Sequence, residues 1–141
     1  MERSVPLKVF VYGTLKPNEI NFELFCAGKI IEASPALAKG KLYQIPFYTE
    51  KYRRGYPAMT AETGWVEGYL LKLKNEPETL AQLDQLEGYQ AGRSPDENEY
   101  QRLEIDVFDL DEIFLTKAWG YVMSLEHVKE LQGIALNSRN W

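Results

Sequence analysis

Short apolar runs broken by glycine and proline dominate the chain, and their spacing sorts them into strands and helices. Val9, Phe10, Val11 and Tyr12 have the β-branched and aromatic character of a strand covered on both faces, and the run stops at Gly13 before Pro17 breaks the segment. Asn18 and Asn21 offer caps, and Phe22, Phe25 and Cys26 share a helical face before Gly28, which predicts a short helix. Ile30 with Ile31, and Leu42 with Tyr43, read as strand pieces separated by Ser34, Pro35 and Gly40. Residues 46–63 carry Pro46, Gly55, Pro57 and the aromatics Phe47, Tyr48, Tyr52 and Tyr56, which predicts a loop. Alternation is clearest over 65–73, with Trp65, Glu67, Tyr69, Leu71 and Leu73 on one face and Val66, Gly68, Leu70 and Lys72 on the other. Gly68 inside that strand predicts a bulge or a backbone passing very close.

A helix start is written in Asn75, Glu76, Pro77 and Glu78: Asn can cap, Pro suits the first turn, and Glu78 stands at the capping-box position. Leu80, Leu83 and Leu86 make its buried stripe, and Gly88 stops it. Residues 90–99 form a polar loop, 100–108 alternate as a strand, 109–112 turn, and a further strand falls within 113–123. Beyond Ser124, the residues Leu125, Val128 and Leu131 at helical spacing before Gly133 predict a short covering helix. No internal repeat or low-complexity segment is present. The order of elements predicts an α+β fold: a small, mixed, largely antiparallel sheet that curls toward a barrel, with a few covering helices.

At 141 residues and 45% hydrophobic composition, one domain spanning 1–141 is expected. The net charge of -5, with Arg53 and Arg54 as a mere pair and no basic run, argues against nucleic acid and anionic membrane as partners. One cysteine, Cys26, and one histidine, His127, exclude an internal disulfide and an ordinary zinc site. Residues 1–8 contain Glu2 and Pro6 and lack the apolar core of a signal peptide, and no stretch approaches the roughly 20 apolar residues of a membrane span. A soluble, cytoplasmic protein is the expectation. Nine tyrosines and three tryptophans are enough that several hydroxyls must find partners or line a cavity.

Two places carry candidate chemistry. Gly13, Thr14 and Leu15 leave a strand end where backbone N–H groups are not claimed by a sheet, a cradle suited to a carboxylate or phosphate; the alternative is a strand and its turn. No second Gly-Lys-Ser/Thr follows, so Lys16 is not a P-loop lysine. Glu87 sits at the end of the helix that begins near Asn75, where the macrodipole disfavours a carboxylate by roughly 0.3–1 kcal/mol. If Leu86 faces the core and Gly88 turns the chain, Glu87 points into a space with little water, and burial and helix end both raise its pKa toward that of a general base. The alternative is a solvent-facing Glu at a frayed end. Cys26, beside Phe22 and Phe25, reads as core, and His127 as surface. Asp106, Asp109, Asp111 and Glu112 lack a calcium-loop pattern and read as strand-end and turn carboxylates; Arg102 reads first as an anchor for the neighbouring loop, the alternative being a grip on a substrate carboxylate.

Several pieces occur in order: Tyr12-Gly13-Thr14-Leu15, Gly55-Tyr56-Pro57, Val66-Glu67-Gly68-Tyr69, Leu83-Asp84 with Leu86-Glu87-Gly88, and Tyr100-Gln101-Arg102. Together, over 9–123, they resemble the gamma-glutamylcyclotransferase-like (AIG2-like) family. The resemblance implies a small barrel-like fold, a catalytic glutamate at Glu87, a substrate-gripping loop at Tyr12, Gly13, Thr14 and Leu15, and a pocket-lining tyrosine at Tyr121. It implies that the free α-amine of a γ-glutamyl group attacks its own γ-carbonyl, releasing an amine or amino acid and leaving 5-oxoproline, with no nucleophile, metal or cofactor.

Ring closure is intramolecular, so orientation supplies much of the rate. The obstacle is protonation: an α-ammonium of pKa about 7.8 facing a carboxylate of about 4.3 leaves roughly 3.5 units, or about 5 kcal/mol, against proton transfer. Desolvating Glu87 narrows that gap. The readings left open are a cyclotransferase for γ-glutamyl-amino acids or γ-glutamylamines, an enzyme removing a γ-glutamyl protecting group, and a non-catalytic binding module on the same fold. Loop 90–99 and the tail ending in Asn140 and Trp141 lie furthest from the family pattern and could set the leaving group. Oligomeric state stays open between monomer and homodimer.

Overall fold

The computed structural model describes residues 5–13, 16, 29–46, 55–76, 78–93 and 98–141. The helix expected from Asn18 to Cys26, Thr14 and Leu15, the aromatics Phe47, Tyr48 and Tyr52, the pair Arg53 and Arg54, and Pro77 lie outside the described residues. In chain order the elements are β1 (Leu7–Val11), β2 (Ile30–Ile45), β3 (Tyr56–Leu73), α1 (Thr79–Leu86), β4 (Gln101–Phe108), β5 (Phe114–Val122), α2 (Leu125–Glu130) and β6 (Ile134–Ala135).

The strands run β3-β1-β5-β4-β2-β6 across the sheet, and a further β3–β2 pairing closes the first five into a ring. Every pairing is antiparallel except β1 with β5, which are parallel at Val9 and Trp119. This is the α+β, mixed and largely antiparallel, barrel-like sheet that the alternation of apolar positions predicts. The period of two along each strand then divides the core. Inside the ring pack Phe10, Tyr12, Ala36, Ala38, Leu42, Met59, Val66, Leu70, Val107, Ala118 and Val122. Outside it, under the helices, lie Val9, Val11, Leu71, Leu73, Tyr100, Tyr121 and Met123 with Leu83 of α1 and Val128 of α2.

Gly68 lies on the inner face, where a Cβ would run into the Val11 carbonyl oxygen and come within 2.9 Å of the Phe10 ring. The close-approach reading is therefore the right one. No bulge occurs there, since Gly68 pairs in register with Ala36; the register slips instead at Ile30/Glu32 and Lys39/Lys41.

Two expectations need correction. Ser34, Pro35 and Gly40 do not break β2, which is one strand of 16 residues. Pro35 pairs with Tyr69, while β4 reaches β2 only at Leu37 and Ala38, so the N–H that proline lacks falls on an unpaired edge. Likewise 56–63 is not loop but the first part of β3, paired with β2 from Ile45–Tyr56 to Lys41–Thr60. β1 covers β3 only from Tyr69 to Leu73, so the edge around Pro57 and Met59 is open to other partners.

Helix α1 starts at Thr79 with Glu78 at the cap position and no side-chain cap bond; Asn75 stands too far upstream to cap it, and its Nδ2 donates to the Val5 carbonyl at 3.1 Å. Its end follows the expectation. Gly88 has φ +66°, Gly88 N–H donates to the Gln85 carbonyl at 3.3 Å, and Tyr89 N–H to the Asp84 carbonyl at 2.9 Å, a Schellman closure that fixes Glu87 as the last cap residue. Helix α2 is capped by the Ser124 hydroxyl, which accepts from His127 N–H at 3.1 Å. At its other end Gln132, not Gly133, takes the left-handed turn (φ 60°). Gly133 is required by space, since a Cβ there would meet Val128 Cγ1 at 2.5 Å. After it, β6 pairs with β2 at Tyr43 and Gln44, an element that a two-residue strand is too short to announce in sequence.

Candidate functional site

The open edge of β3 assembles the site. Where no strand covers Pro57 and Met59, side chains satisfy the backbone: Tyr100 Oη–H donates to the Pro57 carbonyl at 2.7 Å, and Tyr12 Oη accepts from Met59 N–H at 3.2 Å. Met123 N–H donates to the Met59 carbonyl at 2.8 Å. Tyr12 also donates to the Tyr121 carbonyl at 2.6 Å, joining the end of β1 to β5. A buried phenol needs such partners, and each bond fixes a ring. Gly13, next in the chain, is buried against Pro57, with a Cβ position 2.7 Å from Pro57 Cγ. Its carbonyl accepts from Lys16 N–H at 2.9 Å, closing the turn.

Glu87 faces this group. The residue as a whole keeps some exposure, but its carboxyl is enclosed. Burial pushes that carboxyl from 4.5 up to about 8, and the nearby carboxylate of Glu99 adds to the rise. Tyr12, Tyr100 and Tyr121 feel Glu87 in turn: burial raises each hydroxyl's pKa first, and the negative charge of Glu87 raises it further. All three phenols therefore stay protonated. Glu99 is placed by the turn itself, since Glu99 N–H donates to the Gly88 carbonyl at 3.0 Å and its Cβ lies 3.0 Å from where a Gly88 side chain would begin.

A second carboxylate on the same helix is tied down. Asp84 Oδ1 accepts from Tyr121 Oη–H at 2.8 Å, and Asp84 Oδ2 from Arg102 Nη1 at 2.6 Å. The Arg102 guanidinium carbon lies over the Trp119 ring at 4.7 Å and the Tyr89 ring at 5.2 Å, while its Nε is buried without a hydrogen-bond partner. An orphaned donor of this kind costs about 1–3 kcal/mol.

The structure thus brings Glu87 within electrostatic reach of Tyr12 and Tyr121, with Gly13 next to Tyr12 and Tyr121 turned to Asp84; Thr14 and Leu15 lie outside the described residues. The sequence assigns no site role to Asp84 or Tyr100, although both stand in the motif pieces, and none to Tyr89, Glu99 or Trp119. Asp84 had a signal, the (i, i+3) spacing to Glu87 that puts both on one helix face. Glu99 had none, because the turn that carries it to Gly88 is a matter of tertiary closure. Chemically, an enclosed carboxyl titrating at about 8 among neutral phenols can take a proton from an amine near neutral pH and return it to a leaving nitrogen. Among the described residues no helix is long and apolar enough to cross a membrane.

Comparison with known proteins bears on the family and the fold. The chain matches the family model Gamma-glutamyl cyclotransferase, AIG2-like, over residues 9–141. Its structure is similar to that of YkqA from Bacillus subtilis, with 22% identity and a TM-score of 0.60 over 96% of this chain and 39% of that one. It is similar to a protein from Arabidopsis thaliana solved in solution, with 23% identity and a TM-score of 0.60 over 86% of this chain and 71% of that one. An AIG2-like protein from Mus musculus gives 17% identity and a TM-score of 0.64 over 98% of this chain and 89% of that one. This chain spans well under half of YkqA, and at these identities the likeness is one of fold. No curated protein sequence matches. With the family model covering nearly its whole length and the fold shared with these structures, the chain belongs to the gamma-glutamyl cyclotransferase, AIG2-like family.

Proposed function

We propose that the protein is a cyclotransferase acting on a γ-glutamyl amide, either a γ-glutamyl-amino acid or a γ-glutamylamine, with Glu87 as general acid and base. The observation that carries this reading is the Glu87 carboxyl, raised to about 8 at the end of α1 and surrounded by Tyr12, Tyr100 and Tyr121. An ordinary glutamate would face the roughly 3.5-unit deficit against an α-ammonium of about 7.8; at about 8 that deficit is gone.

The steps balance without a further reagent. Glu87 takes a proton from the substrate α-ammonium, and the freed amine nitrogen attacks the γ-carbonyl carbon, forming the C–N bond of the five-membered ring. The same carboxyl then gives its proton to the amide nitrogen as the old C–N bond breaks, and it carries the surplus proton of the ring nitrogen to the departing amine, leaving 5-oxoproline and the amine as its ammonium. Orientation supplies much of the rate, since attacking and attacked atoms belong to one molecule. The backbone N–H groups of the segment Gly13, Thr14 and Leu15 hold the substrate α-carboxylate in this reading, and Tyr121 lines the pocket. Support for the carboxylate grip comes from sequence, Gly13 standing at the end of β1 beside Tyr12.

The test is 5-oxoproline release from a panel of γ-glutamyl dipeptides and γ-glutamylamines, followed by mass spectrometry. Release from one class and not the other identifies the leaving group. Saturable binding of panel members with no 5-oxoproline at any pH between 6 and 9 would contradict the enzyme reading and leave a binding module.

A further inference from the structure

Arg102 and Tyr121 are cross-strand partners in the β4–β5 ladder, so the pairing sets a guanidinium and a phenol side by side. Both donate to one carboxylate, Asp84, which lies three positions before Glu87 on α1. The same guanidinium lies over the rings of Tyr89, two positions after Glu87, and of Trp119 in β5. Between these two anchors run the Schellman bonds that carry the chain through Glu87 and Gly88. Glu87 is therefore bracketed, with the residues on either side of it held by a single planar group that rises from the sheet.

Burying α1 does not by itself require such a group, since Leu83 already fills the core beneath the helix. The arginine also leaves its Nε buried without a partner, which an apolar side chain at 102 would not do. What the guanidinium adds is direction: contacts with two aromatic rings and a bonded edge fix the last turn of α1 in rotation as well as in height.

We propose that Arg102 is a positioning residue for Glu87: by clamping Asp84 and Tyr89 against β4 and β5, it aims the Glu87 carboxyl into the site and keeps it enclosed. The kinetic part rests on the cyclotransferase reading; the enclosure does not. The groups that face Glu87 are Tyr12 from β1, Glu99 and Tyr100 from the segment entering β4, and Tyr121 from β5, while the charge of Arg102 is already matched by Asp84.

The experiment follows the Glu87 carboxyl by carbon-13 NMR titration in protein labelled at glutamate side chains, alongside steady-state 5-oxoproline release. Native protein is compared with Arg102→Lys, which keeps the charge but loses the plane, and with Tyr89→Leu, which removes one ring contact and leaves the ion pair. The expected result in Arg102→Lys is a Glu87 midpoint lower by about one unit or more, as water reaches the carboxyl. A smaller fall in the same direction is expected in Tyr89→Leu. Turnover by Arg102→Lys falls roughly 10- to 100-fold in kcat with KM changed less than about threefold, the pattern of a misaimed group. Should Arg102→Lys fail to fold, Tyr89→Leu carries the same test. A midpoint within about 0.3 unit of native in a folded variant overturns the proposal, whatever happens to its thermal stability. A shifted midpoint in a protein whose native form never releases 5-oxoproline supports the clamp and counts against the cyclotransferase reading instead.

Discussion

Glu87 stands where a helix's own electrostatics oppose a charge, and the structure compounds that opposition with burial and with Glu99. The consequence for activity has a definite sign. Productive complexes carry one proton shared between Glu87 and the substrate amine; below both pKa values two protons are present, and above both there is none. With Glu87 at about 8 and the amine near 7.8, kcat/KM measured from pH 5 to 10 should be bell-shaped with its maximum near pH 8. A plateau reaching down to pH 5 would mean an ordinary carboxylate.

The same shift bears on stability. The folded chain keeps the Glu87 proton between pH 4.5 and about 8, where the unfolded chain has lost it, so this stabilisation is complete below 4.5 and disappears as pH rises through 8. Glu87→Gln has no such loss. Between pH 5 and pH 9 the variant should gain on the order of 4 kcal/mol relative to the native protein, read by urea unfolding at both pH values. Glu87 was legible in sequence because it broke a local rule. Asp84 carries only its spacing to Glu87 as a signal, and its role shows once Arg102 and Tyr121 are seen to meet it, whereas Glu99 reaches Gly88 only through the turn.

The helix ends show what sequence pattern can and cannot specify. Gly88 and the leucine stripe of α1 were readable, and the Schellman closure follows from the glycine. Asn75 is not the cap, since the helix begins later, with Glu78 at the cap position. In α2 the corresponding left-handed residue is Gln132, which carries a Cβ into a region that disfavours it. Gln132→Gly should therefore raise stability by about 0.5–1 kcal/mol, seen as a higher urea midpoint with an unchanged m value. An equal or lower midpoint would show that the Gln132 side chain contributes more than its strain. The strands failed differently. Pro35 and Pro57 look locally like breaks, yet each sits where one edge of its strand has no partner strand, a fact of topology that no local window contains. The same open edge of β3 receives the Tyr12 and Tyr100 hydroxyls, so the feature that hid the strand also builds the site.

Across the molecule the ring is uneven. β2 and β3 pair from Ile30–Leu73 to Ile45–Tyr56, while β2 meets β4 only at Leu37–Phe108 and Ala38–Val107, and β1 meets β5 at Val9–Trp119. Closure therefore rests on two short seams. Amide hydrogen exchange should find the β2–β3 ladder slowest, with amides bonded across the β2–β4 seam exchanging at least about tenfold faster. Uniform protection around the ring would contradict that ranking. The tail strengthens one side. Leu136 N–H donates to the Leu42 carbonyl at 3.0 Å, and Trp141 Nε1–H to Gln44 Oε1 at 2.8 Å, with Lys16 Nζ donating to the Trp141 carbonyl at 2.5 Å. The alternating pattern made the barrel-like α+β class readable; which strands meet at the seams was set by pairings far apart in sequence, and was not.

The site at the open edge of β3 reduces to one question, whether the Glu87 carboxyl moves the proton that ring closure requires. The most direct measurement is 5-oxoproline release by native protein and by Glu87→Gln under identical conditions at pH 8, with the fold of the variant checked by circular dichroism. The account predicts release by the native chain and a loss of about 10²-fold or more in kcat for a folded variant. Release that persists in Glu87→Gln within about threefold would contradict it and take Glu87 out of the mechanism.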